Sequence, residues 1–370
     1  MKALDYISRL LLGAVFVFSG YVKAVDPLGT VYKISDYLVA YHMDFLLPLA
    51  TIAAMMVIAV ELMLGFAFVF NLFMRVSASV MVVVELFFTV LTLISWQTNA
   101  VSDCGCFGDF VKLSNEATFW KNMILMVPVV YVWFRRTKFP TWAILGQAGA
   151  FLGFLILSFG FQWSNMSHLP IQDFRPYKVG VDIKAQMELP EGAKKDSIVT
   201  LLYYKKNGVV KEFTESNYPW EDSTWVWVDT KSTVVKEGDR APIHNFSISD
   251  EDGNDIVPEI LANPGFKLLL ISYKIEKADD IGLKESVNLH KWCDENKVLF
   301  YAVSSSLKSE VELKDKMFGL NYPFYTADEI TLKTIIRSNP GFVLLKGSVI
   351  VAKWHYNDVP TETEFMSYLK

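Results

Sequence analysis

Long apolar runs dominate the first 165 residues and give way to shorter, interrupted runs after that point. The first run follows a basic start, and later runs have about the ~20 residues that cross a bilayer as a helix. The apolar runs lie near 10–20, 46–70, 76–95, 118–134 and 141–162. Hydropathy therefore predicts five membrane spans.

The first run has two interpretations. A basic start followed by Leu10 to Gly20 fits a secretory signal, with Val22-Lys23-Ala24 as a cleavage site. Because more spans follow, we expect a retained first helix.

Loop charges predict the orientation of the spans, since Lys and Arg near span ends stay cytoplasmic. The basic clusters before the first span, between the second and third, and between the fourth and fifth contain Lys2, Arg9, Arg75, Arg135, Arg136 and Lys138. With five spans, these clusters share one side, and segment 23–45, loop 97–117 and everything after 163 share the other. The exceptions are Lys23, Lys33, Lys112 and Lys121. In a bacterium this predicts an inner-membrane protein with a cytoplasmic N-terminus and a periplasmic C-terminal part, where disulfides persist.

Charge divides the chain into unlike halves. Residues 1–165 contain only ten of the 35 Lys and Arg residues and nine of the 40 Asp and Glu residues. A membrane half is therefore followed by a soluble half. The net charge of −5 falls mainly on the soluble side, so there is no basic surface for nucleic acid, and we exclude a nucleic-acid partner.

The most definite candidate chemistry lies in the polar loop Ser102 to Asp109, which contains Cys104 and Cys106. Cysteines two apart reach the roughly 4.4–6.8 Å Cα separation of a disulfide only if the backbone bends. Gly105 permits that bend. Strained, exposed disulfides exchange readily, so Cys104 and Cys106 are the candidate catalytic pair.

Charged neighbours would support this pair. A thiolate would be favoured by Lys23 or Lys112, or by the start of the next helix. Asp103 and Asp109 flank the pair in the same loop. Two alternatives stay open: a static disulfide that pins the loop, and a metal or copper(I) site completed by His42 or an acid.

Arg9, Glu61 and Glu85 are charged residues in or at the edge of the predicted spans. Burying a charge in hydrocarbon is costly, so each needs a partner. Helical rise places Glu85 near the midplane, Glu61 toward the cytoplasmic side and Arg9 near that interface. An Arg9–Glu61 pair is therefore predicted. Its role is either structural or part of a proton or quinone-head site, which leaves quinone open as a cofactor.

Motifs in the membrane half carry a family resemblance. Phe18 to Gly29 resembles the first-span signature of the DoxX-like family, and Glu61 to Gly65 its second-span pattern. Cys104 to Gly108 resembles the loop of the related MauE branch, the methylamine-utilisation membrane proteins. The resemblance covers about residues 1–135 and implies a four-helix membrane bundle that helps mature disulfide-rich periplasmic proteins, with kinship to quinone-linked thiol oxidases. This chain adds a fifth span within 136–165 and a long soluble tail.

A small β module is predicted within 166–233, after an exit linker. Ser197 to Tyr204 and Val209 to Phe213 read as strands. Asn207-Gly208 between them is a typical hairpin turn, since both residues accept positive φ.

From 234 to 370 the pattern alternates strands with helices, which predicts a sheet covered by helices. The order resembles the thioredoxin fold in its peroxiredoxin or TlpA-like form. Glu237 to Pro242 is similar to the motif that opens that domain, and Asn339 to Leu345 to the segment holding its cis-proline.

The thiols of that family are missing here. Ser272 to Asp279, where they would lie, contains no cysteine, and Cys293 reads as a half-buried structural residue. The resemblance therefore implies a docking module for an extended peptide, with Asn339 and Pro340 beside the groove.

The predicted fold class is accordingly a transmembrane helical bundle followed by a β module and an α/β thioredoxin-like domain. Two functions stay open. In the first, the protein is a membrane thiol-disulfide oxidoreductase that acts on a periplasmic client or redox partner. In the second, it is a non-enzymatic scaffold or assembly factor in the bilayer, whose cysteine pair is structural or binds metal.

Overall fold

The structure is a computed structural model of the 370-residue chain. It describes residues 2–101, 103–189, 192–193, 197–214, 217–220, 222–236 and 238–369. Two residues of the predicted motifs, Ser102 and Glu237, lie outside the described residues.

Six helices build the N-terminal half. They are α1 (Lys2–Val25), α2 (Pro27–Ala40), α3 (Ala50–Phe70), α4 (Met74–Thr98), α5 (Asn115–Arg135) and α6 (Ile144–Ser167), with a 3-10 turn at Asp44–Leu49 before α3. All except α2 are long and apolar enough to cross a membrane, α3 together with the turn before it. Within the described residues this confirms the predicted number of five membrane helices.

Helices α1 and α3 cross closely because glycines face each other's helix. A Cβ atom added at Gly20 would lie 2.8 Å from Leu62 Cγ, and one added at Gly65 would lie 2.6 Å from the backbone nitrogen of Val17. Small residues at such crossings let helix backbones approach within van der Waals contact. This close approach brings polar groups of α1 within reach of α3.

A sharp break separates α1 from α2. Asp26 is the N-cap of α2, where its carboxylate accepts a hydrogen bond from the Gly29 backbone N–H at 3.0 Å, and Pro27 occupies the first helical turn. Aspartate at the N-cap and proline at the first position both favour a helix start. Part of the predicted outer segment 23–45 is therefore a helix rather than a loop.

The C-terminal half begins with a short helix, α7 (Ile183–Met187), and a three-stranded antiparallel sheet. Its strands are β1 (Ser197–Lys206), β2 (Val209–Thr214) and β3 (Val226–Lys236), in the order β2-β1-β3. Asn207 and Gly208 have φ values of 51° and 84°, which confirms the predicted hairpin turn.

A five-stranded sheet forms the C-terminal part. The elements in order are α8 (Val257–Ala262), β4 (Phe266–Ser272), α9 (Asp280–Asn296), β5 (Leu299–Ser304), α10 (Lys308–Phe318), β6 (Phe324–Thr326), α11 (Glu329–Ile335), β7 (Gly341–Lys346), β8 (Val349–His355) and α12 (Glu362–Tyr368). The strand order is β6-β5-β4-β7-β8, with β4, β5 and β6 mutually parallel and β7 and β8 antiparallel to their neighbours. Buried apolar side chains form one cluster on each face of this sheet.

The segment after α6 packs along the edge of this sheet. The Gly180 N–H donates to the Ile350 carbonyl at 2.7 Å, and the Ile183 N–H donates to the Ser348 carbonyl at 2.9 Å. Tyr177 joins the buried cluster on one face of the sheet. These contacts tie the sheet to the end of the last membrane helix, while the predicted domain boundaries stay predictions.

Candidate functional site

The cysteine pair lies in the loop between α4 and α5, with both thiols free. The Cys104 and Cys106 sulfurs are 2.9 Å apart, against about 2.05 Å in a disulfide bond. Gly105 between them has φ +67°, and the Gly108 N–H closes a turn onto the Gly105 carbonyl at 3.1 Å. The bend that the sequence predicted at Gly105 thus brings the two sulfurs together.

Helix α2 covers one side of this loop. The Lys33 ammonium lies 3.2 Å from the Asp103 carboxylate, and its side chain packs so closely on Gly105 that an added Cβ would meet Lys33 Cγ at 2.9 Å. Tyr37, one turn further along, hydrogen-bonds the Cys104 thiol. Neither Lys33 nor Tyr37 was a predicted site residue; the Asp26-Pro27 helix start was the signal that could have placed them here.

A buried ion pair lies on the other side of the loop. The Lys23 ammonium is 2.6 and 2.7 Å from the two Glu61 carboxylate oxygens and 3.2 Å from the Ser19 hydroxyl. The Ser19 hydroxyl lies 2.9 Å from both a Glu61 oxygen and the Cys106 carbonyl, and it can donate to only one of them at a time. The loop therefore folds back into the bundle, where its backbone touches the membrane helices.

The predicted Arg9–Glu61 pair is wrong, because Glu61 pairs with Lys23 at the Cys-loop end. The Arg9 guanidinium lies over the Tyr6 and Phe139 rings, and its Nε has no hydrogen-bond partner in the described structure. Rise along a helix gives only the depth of a residue in the bilayer. Which residues pair also depends on how each helix is rotated and on how far a lysine side chain extends. Arg9 thus lies away from the cysteines.

Glu85 is buried in α4 on the cysteine side of the bundle. One of its carboxylate oxygens has no hydrogen-bond partner in the part of the chain that the structure describes. Its charged neighbours are Lys121, Cys106 and Glu61. The predicted supporting residues Lys23, Glu61 and Glu85 therefore converge beneath one thiol.

The electrostatics of the two thiols differ. A hydrogen bond donated by Cys104 lowers the pKa of the Cys106 thiol to about 6 against the opposing effect of burial, and Lys121 and Lys23 lower it further. The same hydrogen bond, together with burial, raises the pKa of Cys104. These effects favour the thiolate at Cys106 and the thiol at Cys104.

Lys121 supplies a positive charge near Cys106. In the sequence it was only an exception to the rule that Lys and Arg near span ends stay cytoplasmic. Its ammonium lies 4.9 Å from the centre of the Phe107 ring. Lys112, which was predicted to favour the thiolate, is largely exposed and lies 3.9 Å from Asp109. The cation that acts on Cys106 from α5 is therefore Lys121.

The C-terminal part contacts the Cys loop through one buried arginine. Arg337 binds Asp26 with both nitrogens of its fork at 2.8–3.0 Å and reaches Asp109 at 3.0 Å. Next to this contact, the Tyr32 hydroxyl donates to the Tyr273 hydroxyl at 3.0 Å. The C-terminal sheet and both thiols thus lie at the same end of the bundle.

Asn339 and Pro340, the predicted peptide-docking residues, are buried beside this contact. The Asn339 side chain accepts from the Ser272 hydroxyl at 2.9 Å and donates to the Lys274 carbonyl at 2.8 Å. The peptide bond between Asn339 and Pro340 is cis. Since the polar groups of Asn339 are already bonded within the chain, docking of a peptide here stays a prediction.

Two further predictions concern metal and the third cysteine. His42 is exposed at the turn after α2, and a search of the described residues found no group of three or more His, Cys, Asp or Glu side chains that could hold a metal ion. Cys293 is fully buried rather than half-buried, and burial raises the pKa of its thiol to about 12. Cys293 is accordingly an unreactive core residue.

Two parts of the chain match known protein families. Residues 1–135 match the family described as Methylamine utilisation protein MauE, and residues 198–237 match a Domain of unknown function (DUF8463). Searches of curated proteins and of solved structures found no match. Residues 1–135 are thus similar to the MauE family, and the apolar helices support a membrane protein. The DoxX resemblance and the thioredoxin-like fold stay predictions.

Proposed function

We propose that this protein exchanges thiols and disulfides with a partner protein through Cys104 and Cys106. The observation that carries the proposal is the close pair: the two sulfurs lie 2.9 Å apart, and the charges of Lys121 and Lys23 favour the thiolate at Cys106. The thiolate is the nucleophile in disulfide exchange, and a second thiol within reach is needed to resolve the mixed disulfide. Cys106 therefore attacks and Cys104 resolves.

The exchange conserves atoms and electrons. The Cys106 thiolate attacks one sulfur of a partner disulfide, which forms a mixed disulfide and releases the other partner sulfur as a thiolate. Cys104 then gives its proton to that thiolate or to water and attacks the Cys106 sulfur, which releases the second partner sulfur. The products are a Cys104–Cys106 disulfide and a partner dithiol, so two electrons pass to the partner. The reverse steps run when the partner has the lower reduction potential.

The buried ion pair supports this chemistry by holding and charging the loop. Lys23 is fixed by Glu61 and contributes a positive charge that stabilises the Cys106 thiolate. Ser19 is placed to anchor the Cys106 carbonyl. A buried, fixed charge near an ionising group acts more strongly than an exposed one, because water screens it less.

The C-terminal sheet is the proposed partner-docking module. The strand order β6-β5-β4-β7-β8, with β4, β5 and β6 parallel and β7 antiparallel to both β4 and β8, supports a thioredoxin-like fold. The segment after β4, Ser272 to Asp279, has no thiol, so the reactive sulfurs come from the membrane loop instead. The ion pair between Arg337 and Asp109 supports this proposal, because it joins the C-terminal part to the loop that contains the two cysteines.

Loop charges support an outer-face location for the site in a bacterial inner membrane. The basic residues Arg75, Arg135 and Arg136 lie at the start of α4 and at or just after the end of α5, at the opposite end of the bundle from the cysteines. Since such residues stay cytoplasmic, the cysteines face the oxidising compartment. The proposed partner is a disulfide-bearing protein of that compartment.

Trapping a mixed disulfide tests the proposal. The full-length Cys104→Ala variant, expressed in a bacterial host with its redox enzymes intact, is quenched in acid and separated without reductant. We expect a covalent adduct that reductant releases, because Cys106 attacks while the resolving thiol is missing. The matched Cys106→Ala variant should give far less adduct, and Cys293→Ala should behave as wild type.

Thiol trapping with an alkylating mass tag should in turn show the wild-type pair both reduced and oxidised, with a shift after a pulse of reductant. A pair that stays in one redox state throughout, with no adduct in any variant, would contradict the proposal.

A further inference from the structure

We propose that Arg337, a residue of the C-terminal part, is a positioning residue for the Cys loop. It holds the loop in place by joining Asp109 of the loop to Asp26. The inference rests on the proposed function only in giving Cys106 the attacking role. Arg337 is separated by 311 residues from Asp26 and by 228 from Asp109, so only the tertiary fold brings the three together.

The side chains of Arg337, Asp26 and Asp109 form a closely bonded cluster. The Arg337 side chain is 5% exposed, its Nε lies 2.9 and 3.0 Å from the two Asp26 oxygens, and its Nη2 bridges Asp26 at 2.8 Å and Asp109 at 3.0 Å. The guanidinium carbon lies 5.2 Å from the centre of the Tyr32 ring. A planar guanidinium can bind two carboxylates and stack on an aromatic ring at once, which a lysine ammonium cannot do.

Asp109 transmits this contact to the reactive sulfur because both lie in one tight turn. The turn contains hydrogen bonds from the Gly108 N–H to the Gly105 carbonyl at 3.1 Å and from the Phe110 N–H to the Phe107 carbonyl at 3.2 Å. Asp109 comes three residues after Cys106 in this turn. Fixing the Asp109 carboxylate therefore fixes where the Cys106 sulfur lies among its charged neighbours.

Those neighbours come from several elements packed on the turn, and α2 adds Lys33, 3.2 Å from Asp103, and Tyr37 beside Cys104. Lys23 of α1 and Lys121 of α5 favour the thiolate, and Glu61 of α3 and Glu85 of α4 oppose it. Cys104 donates the hydrogen bond from within the loop. A turn released from Arg337 would carry the sulfur away from this arrangement, and the thiolate would be less favoured.

The test measures the alkylation rate of Cys106 against pH in the full chain, purified in detergent in a Cys293→Ala background. Iodoacetamide is the probe, and mass spectrometry assigns the modified cysteine. The variants are Arg337→Gln, Arg337→Lys and the matched control Arg175→Gln. Arg175 is also buried; it pairs with Asp173 at 2.8 Å and donates to the carbonyls of Lys333 and Thr334, and no hydrogen bond or ion pair joins it to the Cys loop within the described residues. Because its charge also acts on Asp26, it controls for the loss of a buried positive charge near that residue.

We expect Arg337→Gln to move the alkylation profile to higher pH, with a rate about tenfold lower on the acidic limb for each unit of displacement. Arg337→Lys should lie between it and wild type, and Arg175→Gln should superimpose on wild type. An unmoved Arg337→Gln profile, or an equal displacement in Arg175→Gln, would overturn the proposal.

Asp109→Asn separates positioning from charge and serves if Arg337→Gln does not fold. Removing a negative charge near the thiolate would by itself move the profile to lower pH, whereas loss of positioning moves it to higher pH. A displacement to lower pH in Asp109→Asn would overturn the proposal. Because alkylation needs no partner, these results are independent of whether disulfide exchange with a partner occurs.

Discussion

Replacing Cys104 by alanine should make the Cys106 thiol less acidic. The hydrogen bond from Cys104 is the largest of the effects that lower the pKa of Cys106 to about 6, so its removal leaves burial opposed only by Lys121 and Lys23. At neutral pH a pKa of about 6 corresponds to roughly ten thiolates per thiol, and each unit of increase lowers that ratio tenfold. A return to the ordinary value of about 8.5 would leave a few per cent of thiolate.

The assay follows thiolate absorbance and iodoacetamide alkylation against pH in the Cys293→Ala background, and mass spectrometry assigns the alkylation to Cys106 where Cys104 is also present. Cys104→Ser is the matched control, because its hydroxyl can still donate a hydrogen bond. We expect the midpoint to rise in the order wild type, Cys104→Ser, Cys104→Ala. A Cys104→Ala curve that coincides with wild type would show that the close approach of the sulfurs does not set the acidity, and the assignment of Cys106 as the attacking thiol would lose its physical basis.

Three other predictions concern the surroundings of the pair. Lys23→Met should lower the free energy of unfolding by roughly 3–5 kcal/mol, because it leaves the Glu61 carboxylate buried without its partner, and the double variant with Glu61→Gln should lose less. Unfolding titrations in detergent complete this double-mutant cycle, and additive losses would contradict the pairing. Gly105→Ala should cost about 1–2 kcal/mol of stability because of its positive φ, and it should slow formation of the Cys104–Cys106 disulfide. The control Gly208→Ala, at φ +84° with no neighbour within 4 Å, should carry the same backbone cost and leave the rate of disulfide formation unchanged. Topology reporters fused after Lys370 and inserted in the loop between α5 and α6 should report opposite sides of the membrane; the same side for both would refute the arrangement of five spans.

The sequence was sufficient for the features that depend on local pattern. Five apolar runs gave five membrane helices, because a helix in lipid needs length and hydropathy and little else. Asn207-Gly208 gave the hairpin, because the turn requires positive φ at two adjacent residues. The spacing of Cys104 and Cys106 around Gly105 likewise gave the candidate pair.

Tertiary structure alone decided which charges meet. Glu61 pairs with Lys23 rather than Arg9, Lys121 rather than Lys112 acts on the thiolate, and Arg337 reaches the loop from the far end of the chain. Periodicity fixes the face and the depth of a residue on its own helix, but a salt bridge depends on the relative rotation of helices and on a loop that folds back between them. Those depend on packing across hundreds of residues, which a local pattern does not contain.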